Sequence, residues 1–235
     1  MLNLRYESEA AHAMAAQVMR IVRDCAYEAS IELAQEKHPF PALDRELYLL
    51  QPFIQSLPKE LRSRIAVHGI RNSHLLAIAP AGSISLLANN VSSGIEPIVG
   101  LEMLRRLRGL DGALTNFQVT DYAYALWRSR QVAQGDLPAS FMTAERISPR
   151  DHLLMQAAVN PFIDGAIAKT VTLPREAPRS SADELFRTAH ALGLKGCTVF
   201  RSSVRPSVVE GRSDLENLWA AASAERCTRA EAESR

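Results

Sequence analysis

The 235 residues are 47% hydrophobic and 23% charged, with a formal net charge of +1, the composition of an ordinary globular chain long enough for one large domain or two small ones. So small a net charge gives no field for nucleic acid or a membrane surface, and no apolar run approaches the roughly 18 residues a spanning helix needs. The first residues, MLNLRYESEA, lack the apolar centre of a signal peptide, and the three scattered cysteines, Cys25, Cys197 and Cys227, form no C-x-x-C pair; a reducing cytoplasm is expected, with neither a disulfide framework nor a zinc ribbon.

Met14, Val18, Ile21, Val22, Cys25, Ala29 and Leu33 recur at three- and four-residue spacing. This predicts a long amphipathic helix over residues 9–36, with Cys25 as a small core residue on its buried face. Pro39 and Pro41 break it. A second helix is expected over 45–56, and a third begins at Pro58 and stops at Gly69. HLLAIA, residues 74–79, reads as a buried strand, and SISLLAN as a short helical segment.

Between these two lies Pro80-Ala81-Gly82-Ser83-Ile84-Ser85. A strand that turns into a helix through such residues presents backbone N–H groups that have no partner inside the helix and carry partial positive charge. Gly82 lets a ligand approach the backbone, Ser83 and Ser85 add hydroxyls, and a phosphate is the natural guest. No G-K-[ST] follows, so this is not a Walker loop, nor is it G-x-G-x-x-G. A second loop, NNVSSGIEP, places Asn89 or Asn90 to end the helix in a left-handed conformation. It also holds Glu96 extended ahead of Pro97.

Further on, TNFQV reads as a weak strand, and Thr120 and Asp121 open a helix ending near Arg130. LRRLRG, residues 104–109, reads as a solvated basic helix face. Ser148, Pro149 and Asp151 start another helix. KTVTL is a β-branched strand in which Lys169 either balances phosphate charge or, the preferred reading, is solvated. Ser181 and Glu184 form a capping box for a helix that stops at Gly193. CTVF is a short strand with Cys197 buried, and SDLE caps a last helix over residues 213–222 before a polar tail. Tyr122, Tyr124 and Trp127 read as core packing, and His12, His38, His68, His74, His152 and His190 lack the convergent spacing of a metal site. Strands alternating with helices imply parallel pairing in an α/β fold. About four strands cannot close a barrel, so the chain is either part of a larger sheet or an open α/β sandwich covered by its own helices.

GIRNSHLLAIAPAGSISLLANNVSSGIEP closely resembles the adenosylcobalamin-dependent, class II ribonucleotide reductases. AYEASIELAQEK, FPALD, LPKELRSRI, MQAAVNPFIDGAIAKTVTLP and ALGLKGCTVFR resemble the same family in the same order. The resemblance implies the C-terminal half of a ten-stranded α/β barrel, with a helical segment over residues 1–70. A half-barrel region with the phosphate loop would span 71–212, and a C-terminal helix and tail 213–235. It assigns Pro80, Ala81, Gly82, Ser83, Ile84 and Ser85 to the phosphates of a ribonucleoside diphosphate. Many relatives carry a hydroxyl residue where this chain has Ala81, and a serine where it has Ala168. The family's radical cysteine sits in N-x-C-x-E, which is absent here, as is a C-terminal cysteine pair.

The resemblance therefore implies a small subunit or C-terminal portion of a reductase that supplies deoxyribonucleotides for DNA replication. A larger chain would carry the radical cysteine, and adenosylcobalamin would be bound in the complex. No catalytic residue and no metal ligand are expected on this chain, nor any nucleic-acid or membrane partner. The alternative is a non-catalytic regulatory or assembly partner of a complete reductase.

Overall fold

The computed structural model describes residues 2–108, 114–130, 136–174, 176–201 and 209–211. The helix expected over residues 213–222, the polar tail and Cys227 lie outside the described residues. Helix α1, Glu9–Lys37, starts where the Ser8 side chain accepts a hydrogen bond from the Ala11 N–H at 3.2 Å. Its orientation reverses the expectation. Val18, Ile21 and Val22 are 48%, 52% and 42% exposed, and Cys25 is exposed rather than a core residue. The face turned inward carries Ala11, Arg23, Tyr27, Ser30, Ile31 and Ala34. Its polar members tolerate burial because each finds a partner. Tyr27 donates to Asp164 at 2.8 Å, Ser30 and Asn72 meet at 3.1 Å, and Arg23 pairs with Asp24 while its guanidinium lies over the Phe162 ring.

The expected second helix is two short ones, α2 (Arg45–Leu49) and α3 (Pro52–Gln55), because Pro52 has no N–H with which to continue a helix. Helix α4 (Lys59–His68) has Pro58 just outside it rather than as its first residue, and Gly69 closes it at φ +76°. Tyr27 and Ile31 of α1 meet Ile54, Leu57, Leu61, Ile65 and Ile70 in a first core. Aliphatic side chains buried in this way contribute about 1.5–3 kcal/mol each.

Residues 74–79 are extended but not a buried strand. They make a single parallel bridge, Ile78 to Ile167, with Ile78 N–H to Ala166 O at 3.0 Å and Ala168 N–H to Ile78 O at 2.7 Å. With one neighbour only, Ala77 and Ala79 remain exposed. The short helix α5 (Gly82–Leu87) follows. Strand β1 (Glu102–Arg108) then pairs antiparallel with β2 (Leu114–Thr120), and Glu102 faces Thr120. Residues 104–108 of the basic stretch thus run along a strand, not a helix face, because β2 pairs with them on one side and β5 (Val209–Gly211) pairs with Met103–Arg105 on the other.

Helix α6 (Tyr122–Arg130) begins where Asp121 accepts from the Tyr124 N–H at 2.9 Å; its half-buried Tyr124 and Trp127 stack and meet Phe141 edge-on, whereas Tyr122 is 37% exposed and is not the core residue expected. Helix α7 (Pro149–Val159) carries the expected Ser148 cap. Strand β3 (Thr170–Leu173) runs parallel to β4 (Thr198–Arg201) through the crossover helix α8 (Arg179–Ala191), the βαβ unit read from the sequence. Helix α8 starts three residues early, behind Pro178. The Ser181 N–H bonds to the Pro178 carbonyl, so the capping box does not form. Cys197 is half-buried, and burial pushes its thiol pKa up.

Leu153, Val171, Leu173, Leu185 and Ala189 form a second core under the βαβ unit. Val159, Ile163 and Ile167 form a third, against Met19, Leu76, Ile78 and Ile95. Among the described residues the sheets are a three-stranded antiparallel set, the parallel pair and the single bridge; they do not close a barrel. No helix among them is long and apolar enough to cross a membrane. Gly165 sits where the 74–79 segment passes, and a Cβ there would lie 2.7 Å from the Leu76 carbonyl oxygen. Gly165→Ala is therefore expected to cost about 1–3 kcal/mol in urea unfolding, as overpacking does; an unchanged midpoint would show that the segment can move aside.

Candidate functional site

Two small-residue loops meet at α5. Ala81 precedes the helix with φ −114° and offers no side-chain hydrogen bond, and the first helical carbonyl partner is taken by the Ser85 N–H, 2.7 Å from the Ala81 oxygen. The N–H groups ahead of Ser85 thus have no carbonyl one turn behind them. A Cβ built on Gly82 meets nothing within 4 Å, and Ile84 is 68% exposed, so the space before these amides is open. Ser85 is buried, and its hydroxyl donates to the Val91 carbonyl, tying α5 to the second loop. Of the hydroxyls singled out in the sequence, that leaves Ser83 uncommitted to such a tie.

Both candidate residues end the helix in the left-handed region, Asn89 at φ +64° and Asn90 at φ +58°. Ser92 donates to the Glu96 carbonyl. Gly94, at φ +71°, passes so near the 74–79 segment that a Cβ would stand 3.3 Å from the Ala79 oxygen. Glycine is required there on both counts.

The second loop is fastened by a buried charge pair. Glu96 takes the Lys169 ammonium on Oε2 and the Thr170 N–H on Oε1 at 2.6 Å. The Lys169 side chain is fully buried, so it is not the solvated lysine expected. Its Nζ also lies 2.9 Å from His152 Nδ1, 3.2 Å from the Thr170 oxygen and 5.9 Å from the centre of the Tyr6 ring. His152 Nε2 is 3.2 Å from the Ala144 carbonyl. A carbonyl only accepts, so Nε2 carries the imidazole proton and Nδ1 receives the lysine N–H. Burial, joined by the Lys169 charge, lowers the His152 pKa to about 4. Burial likewise lowers the Lys169 pKa, against the pull of Glu96. Tyr6 donates to the Ile95 carbonyl at 2.7 Å, and its phenol pKa is raised by burial and by the Glu96 charge.

A second polar knot supports the 74–79 segment from beneath. Asp164 accepts the N–H groups of Leu75 and Leu76, each at 2.8 Å, together with the Tyr27 hydroxyl and the Gly165 N–H. Burial alone would raise its pKa; these donors outweigh burial and hold it low. Lys195 donates to the carbonyls of Ile163, Asp164 and Gly165. The sequence reading missed both knots. A signal existed for the first, since Lys169 is a lone charge in the apolar run AIAKTVTL. Among the described residues no group of three or more His, Cys, Asp or Glu could hold a metal.

Residues 1–200 match the family model of the ribonucleotide reductase barrel domain. Over 240 residues the chain is 30% identical to the vitamin B12-dependent ribonucleoside-diphosphate reductase of Mycobacterium tuberculosis strain H37Rv, covering 95% of this chain and 32% of that one. The enzyme of the same name from Thermoplasma acidophilum is 31% identical over 218 residues, covering 85% of this chain and 26% of that one. The ribonucleoside-diphosphate reductase subunit alpha of Mycoplasma pneumoniae is 29% identical over 180 residues, covering 74% of this chain and 23% of that one. The chain belongs to the ribonucleotide reductase family, within its barrel domain. It spans about a third or less of the length of these relatives.

Proposed function

We propose that the chain is the small subunit, or C-terminal portion, of a vitamin B12-dependent ribonucleoside-diphosphate reductase. Its part in reducing ribonucleotides to deoxyribonucleotides is to hold the substrate's phosphates on Pro80, Ala81, Gly82, Ser83, Ile84 and Ser85. The observation that carries this reading is the start of α5, where Gly82 faces open space beside amides without helical partners. Ser85 braces that turn from behind through the Val91 carbonyl. A larger chain supplies the radical cysteine, since Cys25 and Cys197 lie in no N-x-C-x-E setting and neither does Cys227.

Adenosylcobalamin supplies the radical chemistry in such an enzyme. Most of its contacts fall to the larger chain of the complex. A second reading, a regulatory or assembly partner of a complete reductase, is favoured by Ala81, which supplies no side-chain donor at the turn.

The test is ribonucleoside-diphosphate reduction by the purified chain, alone and mixed with a larger class II chain that carries N-x-C-x-E. Activity only in the mixture is expected, and turnover by this chain alone would overturn the reading. In parallel, Gly82→Val should weaken binding of a nucleoside diphosphate at least about tenfold in calorimetry. One or two charge-assisted hydrogen bonds, each contributing about 1.5–3 kcal/mol, would be blocked. The fold should survive, because the new side chain meets open space. Ala81→Thr should tighten binding. Unchanged affinity in a folded Gly82→Val protein would leave the loop as a turn and favour the regulatory reading.

A further inference from the structure

A cleft of about 390 Å³ lies at the end of the 74–79 segment away from the α5 turn, where Ser73 and His74 line it. The extended residues 74–79 separate it from that turn by about 20 Å of chain. Its walls are aromatic. Tyr27, Phe40, Tyr48 and Phe53 all line it, and all but Tyr27 are only half-buried. Phe40 and Tyr48 meet edge to face with ring centres 6.1 Å apart, and the Tyr27 and Phe53 rings stand 6.1 Å apart at 34°. Burial raises the phenol pKa of both tyrosines, so these rings stay neutral.

The fixed charge in the cleft has one sign. Asp44 and Asp164 line it, and no lysine or arginine does. The four donors to Asp164 are neutral N–H and O–H groups, and they hold its carboxyl pKa low. Among the described residues no salt bridge reaches either carboxylate. Lys195 spends its ammonium on the backbone carbonyls of residues 163–165. Arg45, next to Asp44 in the chain, turns to the carbonyls of Ala66 and Val67. Asp44 caps α2 through Oδ1, and its Oδ2 has no partner among the described residues.

We propose that this cleft binds a small organic cation of the alkylammonium class, held by the Phe40, Tyr48 and Phe53 rings and by the Asp44 carboxylate. Aromatic faces carry the negative end of the ring quadrupole and attract such cations, most of all those with methyl groups on nitrogen. An anion would meet two carboxylates, and a neutral apolar guest would leave both without a counter-charge. A bare metal ion has too few ligands, since no group of three or more His, Cys, Asp or Glu gathers among the described residues. The volume lies within the roughly 300–1,000 Å³ of small-molecule pockets, which fits a free molecule. No residue of the phosphate turn takes part, so this site does not rest on the function proposed above.

The experiment is calorimetric titration of choline into the full chain at low ionic strength. The comparison probe is its neutral isostere, the alcohol in which carbon replaces the quaternary nitrogen. Choline is expected to bind at least about tenfold more tightly than the alcohol. Phe40→Leu keeps apolar bulk but removes a ring, and Asp44→Asn removes the charge but keeps a good helix cap. Each should weaken choline at least about threefold. If the leucine variant fails to fold, the asparagine variant carries the comparison. Nα-acetylarginine amide stands for a protein side chain of the same charge and is expected to bind less tightly than choline. Absence of choline binding, equal binding of the neutral alcohol, unchanged choline affinity in the folded variants, or tighter binding of the arginine probe would each overturn the proposal.

Discussion

Glu96→Gln will destabilise the chain by about 3–5 kcal/mol, the range for stranding one partner of a buried ion pair, and Lys169→Met will cost less. The asymmetry follows from where the two charges sit. The Lys169 side chain is fully buried, whereas Glu96 keeps about a quarter of its surface and the Thr170 N–H. Without lysine, the carboxylate can turn part of itself to water. Without the carboxylate, the ammonium has only His152, the Thr170 carbonyl and the Tyr6 ring around it. None of these carries a balancing charge, so the remaining recourse is loss of its proton. Urea unfolding of both variants and of the double variant measures this. The double variant should cost less than the sum, since removing both charges leaves neither one stranded. Equal single costs, or strict additivity, would show that the pair is hydrated in solution.

Stability will also fall as the pH is lowered from 6.5 towards 4, with His152 contributing about 3 kcal/mol to the loss. The folded-state pKa of His152 is lowered from 6.5 to about 4, so the unfolded chain binds its proton first. The stabilisation is complete above pH 6.5 and is withdrawn progressively down to about pH 4. Burial is the principal cause, and the Lys169 ammonium, which faces Nδ1, is the second. Asp164 acts in the same direction in a lower window, because its pKa lies below the ordinary carboxylate range. Unfolding followed from pH 7.5 to 4.5, in the wild type and in His152→Gln, isolates the imidazole. Glutamine can still donate to the Ala144 carbonyl but does not titrate. Parallel pH profiles for the two proteins would place the ring in water.

The sequence was most legible where structure is local. The Ser148 cap, the glycine stops at Gly69 and Gly193 and the βαβ unit from β3 to β4 depend on residues near one another, and all are present. What failed depends on distant partners. Helix α1 has two candidate inner faces, and spacing favoured the more aliphatic one. Tyr27 and Ser30 could be buried on the other face because Asp164 and Asn72, far along the chain, complete them. The same holds for the site. The glycine turn at Pro80–Ser85 could be read from composition. The fastening of Glu96 to Lys169 could not, since it joins residues 73 positions apart.

The outward stripe of α1 also bears on the heat capacity of unfolding. That quantity reports apolar surface newly given to water, about 12–15 cal/mol/K per residue for ordinary domains. Val18, Ile21, Val22 and Leu33 have already given up 37–52% of their surface in the folded chain and have less left to release. Those four side chains therefore add less to the heat capacity of unfolding than their size implies, and the hydration of that helix face persists through the transition instead of beginning with it.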